Sequence, residues 1–172
     1  MHQDMPIQQV LQRTDTRFQY GFAREAKERV RESEDFLLEP SRSALLVLGR
    51  NEDALAAPVE TLRELYGPRL EVRPPCVRLI HGVQVREPIM HVRVSMQTRF
   101  RDGVRQALLA RGARPAEEYA RSSYCVLRYE APLARLLGLS AELKERTAGT
   151  AKHWVALSHY ALVTGHPGGD AA

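Results

Sequence analysis

Apolar and polar positions change period several times along this chain, and each change marks an element. TRFQYGF, residues 16–22, reads as a short strand. In the following AREAKERVRESEDF, the positions Phe22, Ala26, Val30 and Leu37 recur at helical spacing, with charges on the other faces. Arg24 and Glu28, and Glu25 and Arg29, are opposite charges four residues apart, as on a solvated helix surface. DFLLEPSRSALLVLG holds two apolar runs around Glu39-Pro40-Ser41-Arg42, which predicts two antiparallel strands and a turn. Asn51 can cap the next helix, whose stripe is Leu55, Val59, Leu62 and Leu65. Pro58 inside that stripe predicts a kink or a late start, and Tyr66-Gly67-Pro68 a stop. RLEVRPPCVRLI is extended, with Pro74-Pro75 marking an edge or a crossing point.

The second half repeats the order. EPIMHVRVSM alternates, placing Ile89 and His91 opposite to Met90 and Val92. Thr98 is the expected cap of RFRDGVRQALLARG, with Phe100, Val104, Ala107 and Leu108 inward and Gly112 at its end. EYARSSYCVLRYEAPL is a strand or a bent hairpin. Pro132 opens one helix, which buries Leu133, Leu136, Leu137 and Leu143 and ends before Gly149. AKHWVALSHYALV closes as a strand, with His153 and His159 on one face and Trp154 and Tyr160 on the other. Trp154 is expected in the core or a domain interface. The predicted fold is α+β: two tandem ferredoxin-like βαββαβ sandwiches, residues 1–80 and 81–165, and a disordered tail at 166–172. Units this small bury only about 60% of their unfolded surface, so they should pack on each other or on a partner.

Composition narrows the setting. No apolar run reaches the roughly 18 residues of a membrane span, so no membrane partner is expected. The N-terminal MHQDMPIQQVLQRTDTRF has no signal-peptide core. Cys76 and Cys125 stand far apart, which fits a reducing, cytoplasmic setting. The net charge of +4 and pI near 9.3 are compatible with a phosphate backbone as partner.

Glu87-Pro88-Ile89-Met90, Asp102, Arg111-Gly112, Ala131-Pro132-Leu133-Ala134 and Leu137-Gly138 form an ordered string. It continues through Glu142-Leu143-Lys144, Thr147-x-Gly149, Ala151 and His159-Tyr160. Over residues 86–163 this string resembles the C-terminal domain of elongation factor G and its translational GTPase relatives. Gly49-x-x-Glu52 with Leu55, and VETLRELYGPRLEVRPPCVRLI, resemble the family's third domain, with Ala54 and Pro58 departing from its pattern. Only HGVQVR joins the two halves, as in LepA-like and BipA-like factors, which lack the domain that elongation factor G inserts there.

The resemblance implies contact with the large ribosomal subunit through the helix-to-strand turn. The matching residues are Lys144, Arg146, Thr147, Gly149 and Lys152. Glu145, Ala148 and Thr150 depart from the family's usual Ser, Gln and Arg. A turn kept only for its fold is the alternative. Arg99, Arg101, Arg105 and Arg111 suggest a cationic helix face for RNA or an acidic protein. The sequence has no Gly-x-x-x-x-Gly-Lys-[Ser/Thr], so no bound nucleotide is expected. His153 and His159 lie six residues apart, roughly 20 Å on a strand, too far to share a metal. Neither cysteine has a neighbouring base, and Glu117-Glu118 is not expected to form a catalytic dyad. The sequence therefore points to a non-catalytic ribosome- or RNA-binding protein without cofactor. A protein-interaction module on the same scaffold, possibly homodimeric, is the second reading.

Overall fold

The computed structural model describes residues 2–163; the tail at 166–172 lies outside them. Two separate antiparallel sheets are present, and each is built by a βαββαβ run. In the first, β1 (Ile7–Arg13) leads to α1 (Gln19–Arg29), the hairpin β2 (Phe36–Pro40) and β3 (Leu45–Gly49), α2 (Ala56–Tyr66) and β4 (Leu70–Val72). A short β5 (Cys76–Val77) also pairs with β1. In the second, β6 (Arg86–Gln97) leads to α3 (Arg101–Ala110), β7 (Arg114–Ala120), β8 (Tyr124–Pro132), α4 (Leu133–Leu136), α5 (Leu139–Arg146) and β9 (Lys152–Leu162). The strand orders, β2-β3-β1-β4 and β7-β8-β6-β9, are the same permutation. Both halves are thus ferredoxin-like, and the fold is α+β.

Several elements differ from the sequence expectation. The first strand is IQQVLQR, not TRFQYGF. Ile7 and Leu11 are fully buried between β3 and β4, whereas Phe18 is 68% exposed beside the start of α1. The Gln8-Gln9 pair interrupts strict alternation and hides this strand, while the aromatics of 16–22 imitate one. Helix α1 ends at Arg29, so Leu37 belongs to β2. Helix α2 does start late: a single 3-10 turn at Asp53–Leu55 precedes it and places Pro58 in its first turn, where the missing N–H has no intrahelical partner to lose. Its outer residue Leu65 is exposed. Thr98 does not cap α3, since its hydroxyl donates to the Arg121 carbonyl at 2.9 Å. The EYARSSYCVLRYEAPL segment is a hairpin, β7–β8.

The expected single helix after Pro132 is two. Leu137 is extended (ψ 130°) and Gly138 is left-handed (φ +79°), a conformation that side chains resist, so the chain turns a corner between α4 and α5. Leu133, Leu136 and Leu143 face inward as expected, now from two short helices, but Leu139 takes the inward place expected of Leu137, which is only half-buried at the corner. Pro74 and Pro75 fall between β4 and β5. Two residues without N–H groups break the outer strand into two pieces, both laid on β1.

The two halves pack on one another. The turn after β3 makes three bonds across the junction. Asn51 Nδ2 donates to the Val155 carbonyl at 2.9 Å, and its Oδ1 accepts from Ala54 N at 3.0 Å. The Glu52 carboxylate accepts from Gly138 N at 2.8 Å. Asp53 Oδ2 meets His153 Nε2 at 2.7 Å. Beneath them α4 packs on β5 of one sheet and on β6 and β8 of the other. Leu133, Leu136 and Leu139 line this seam, and the cavity beside them holds only about 20 Å³.

The Asp53–His153 pair makes that junction sensitive to pH. Asp53 raises the His153 pKa above its ordinary 6.5, chiefly through their hydrogen bond, although burial opposes this. His153 in turn lowers the Asp53 pKa below 3.8. Stabilisation through the raised histidine is complete below about pH 6.5 and is lost as pH rises through its folded value. The aspartate's share is present above about pH 3.8 and lost as pH falls through its lowered value. Thermal melts from pH 6 to 8 should therefore show a fall of roughly 0.5 kcal/mol that His153→Gln abolishes, the size expected for a half-exposed pair. Equal slopes for both proteins would contradict this account.

Candidate nucleic-acid interface

The α5–β9 turn is built around Thr147. This residue is fully buried, its hydroxyl donates to the Leu143 carbonyl at 2.7 Å, and the same oxygen accepts from Ala151 N at 3.1 Å. The candidate contact at Thr147 is thereby corrected: its polar atom is enclosed and shapes the turn from inside. Ala148 (φ +49°) and Gly149 (φ +73°) are both left-handed, and Gly149 N donates to the Lys144 carbonyl at 2.7 Å. A Cβ on Gly149 would meet only Lys144 Cγ at 3.9 Å, so this stretch of backbone faces open space. Lys144 and Lys152 flank it, both exposed and neither in an ion pair with a described residue. Ala141, Lys144, Glu145, Ala148 and Gly149 border a shallow depression of about 490 Å³ there.

The arginines of α3 do not form the single cationic face expected. Arg111 is a clamp. Its Nε and Nη2 donate to Glu142 Oε2 at 3.0 and 2.8 Å, and its Nη1 to the carbonyls of Arg135 and Leu137 at 2.9 and 2.8 Å. Only 20% of its side chain is exposed. Arg105 pairs with Glu118, which holds that carboxyl below its usual range. Arg146 donates to Glu142 Oε1 at 2.9 Å, and Arg111 followed by Arg146 lowers the Glu142 pKa. Arg101 approaches only Asp102, at 3.4 Å. Four of the proposed cations thus pair with carboxylates, whereas Lys144 and Lys152 form no ion pair among the described residues.

Over residues 84–170, just over half of the chain, the sequence matches the family model described as elongation factor G C-terminus. The chain belongs to this elongation factor G C-terminal family. The match spans the whole second sheet and the turn just described. A crystal structure of a protein from Thermus thermophilus superposes on 92% of the chain with a TM-score of 0.66 and 16% sequence identity, a likeness of fold. The chain spans 41% of that protein's length. No curated protein matches the sequence.

The elongation factor G-like domain places the remaining candidates as follows. A bulge in β9 opposite Ile89/Met90 shifts the register, so Ile89 faces His159 and Met90 faces Leu157. His153 and His159 therefore lie on opposite faces, not on one. His153 points to the first half, while His159 lies near Glu130 on the open face. Trp154 is neither core nor interface: it is 57% exposed on the open face of the second sheet. Glu117 and Glu118 alternate along β7, one bonded to Arg128 and the other to Arg105, which separates them. Cys125 is buried, and burial raises its thiol pKa; Cys76 is exposed. Among the described residues no cluster of His, Cys, Asp or Glu suits a metal ion, and no helix is long and apolar enough to cross a membrane. The residues that sequence reasoning passed over are Arg93 and Arg128. The signal was present, since His91, Arg93, Ser95 and Gln97 alternate with buried Met90, Val92, Val94 and Met96.

Proposed function

We propose that the chain is a non-catalytic, ribosome-associated RNA-binding module, docking on the large subunit through the α5–β9 corner. The observation that carries this reading is the family match over a turn whose backbone at Gly149 is open and flanked by two lysines with no ion-pair partner among the described residues. Such a corner suits RNA phosphates: the cations supply attraction, and the glycine allows close approach. Arg101 and Arg146 stand nearby as weaker contributors, Arg105 is tied to Glu118, and Arg111 holds the corner in shape. The partner is then ribosomal RNA and the setting the cytoplasm. The two ferredoxin-like units, joined through residues 81–86, correspond in this reading to the third and C-terminal domains of a LepA-like or BipA-like arrangement.

The alternative, a protein-interaction module that is possibly homodimeric, finds no support at the β7 edge. That strand carries Pro115, a bulge beside it and the charges Glu117 and Glu118, all of which oppose strand addition there. The test is co-sedimentation with ribosomes across a salt series. Binding should weaken steeply with salt, and Lys144→Glu with Lys152→Glu should reduce it about tenfold or more and flatten the slope by about two. Full retention in the supernatant at low salt would remove the proposal, and a salt-insensitive dimer on sizing would favour the alternative.

A further inference from the structure

Among the described residues nothing covers the face of the second sheet turned away from its helices. Strand register places Glu117, Arg128, Arg93 and Trp154 side by side across β7, β8, β6 and β9. The next row is Tyr119, Val126, Ser95 and Lys152, and beyond it Tyr124 faces Gln97. Each row runs about 14 Å across four strands. The face is polar and aromatic rather than aliphatic. Trp154, Tyr119 and Tyr124 are all exposed by about half, and the two tyrosine rings lie 6.2 Å apart.

Charge on this face is unevenly matched. Glu117 holds Arg128 at 2.9 Å, and Glu130 gathers Arg114 at 3.6 Å with His91 and His159 at 3.9 and 3.8 Å. Arg93, Arg121 and Lys152 have no ion-pair partner among the described residues. Arg93 also sits directly opposite Arg128, and Glu117 answers only one of the two positive charges, which leaves Arg93 open to an anion. Arg121 lies over the Tyr119 ring at 5.6 Å. His91, Arg93, Arg128, Glu117, Tyr129 and Trp154 border an open concavity of about 940 Å³.

We infer that this open face is a second site for single-stranded RNA, centred on Arg93 and Trp154 and sharing only Lys152, at its margin, with the α5–β9 corner. A base stacks on Trp154, its phosphate is held between Arg93 and Arg128, and the strand runs on across Ser95 and Val126 to the Tyr119–Tyr124 pair. Flat aromatic rings interleaved with unpaired cations suit unstacked bases and a phosphate chain. A duplex hides its bases, and an apolar protein surface would leave Arg93 unpaired.

Trp154 is the sole tryptophan of the sequence, so its fluorescence reports on this face directly. The full chain is titrated with a dodecamer of uridine, with duplex RNA of the same length and with heparin. Saturable quenching by the single strand alone is expected. Arg93→Gln should weaken it about tenfold, while Lys144→Glu leaves it unchanged. A labelled dodecamer followed by anisotropy extends the test to Trp154→Ala, which should lose a similar factor. Absence of quenching, equal quenching by duplex or heparin, or an unaltered Arg93→Gln protein overturns the inference. If ribosome binding fails while quenching persists, the ribosomal reading falls and this site stands. If ribosomes bind and quenching is absent, the reverse holds.

Discussion

Arg111→Ala is expected to destabilise the protein by about 2–3 kcal/mol, read from denaturant midpoints. Its guanidinium makes four hydrogen bonds, two to Glu142 and two to the carbonyls of Arg135 and Leu137. Those carbonyls flank the break between α4 and α5, where extended Leu137 and left-handed Gly138 leave no helical donors. Bonds to charged groups contribute about 1.5–3 kcal/mol each when shielded, and removing one partner of a buried pair costs more than the pair contributes. Partial exposure of both side chains, 20% for Arg111 and 28% for Glu142, moderates the sum. Glu142 also keeps Arg146 as a partner. Arg111→Lys should recover less than half, because a compact ammonium cannot span a carboxylate and two carbonyls in one plane. A loss below about 0.5 kcal/mol would mean that the corner holds without the clamp.

Leu133→Ala should cost about 3 kcal/mol or more. Leu133 is 1% exposed at the start of α4, the helix that touches β5 of the first sheet and β6 and β8 of the second. Truncating a buried leucine loses its transfer energy and leaves a cavity, and a site wedged between two sheets has little room to collapse. The loss should be shared. Amides of β1 and β6 should both exchange faster, and unfolding should remain a single transition. Protection lost in the second sheet alone, or a change under about 1 kcal/mol, would show that the seam is not a common core.

Much of this architecture was legible because two periods alternate cleanly. The β2–β3 hairpin, the α2 and α3 stripes, the strand nature of β6 and the left-handed Gly112 all follow from local pattern. The misreadings have local causes too. Adjacent glutamines masked β1. The unbroken leucine spacing of 133–143 concealed a corner that only the dihedrals of Leu137 and Gly138 create. One bulged residue in β9 reversed which face His159 occupies. At the candidate site, Lys144, Gly149 and Lys152, named from the sequence as candidates, are exposed, whereas Thr147 is buried and Arg111 is tied to Glu142. Whether a hydroxyl or a guanidinium reaches solvent depends on carbonyls brought near by folding, and no spacing rule records that. The row Arg128–Arg93–Trp154 joins three strands and exists only once register is set.

The turn at Asn51–Asp53 has a mechanical consequence. It is bonded to β9 at Val155 and His153 and to the corner at Gly138. With α4 laid against β5, β6 and β8 beneath it, this grip opposes hinge opening between the halves. A displacement imposed at the Gly149 tip is then expected to reach the β2–β3 hairpin more as rotation of the two joined sheets than as bending between them.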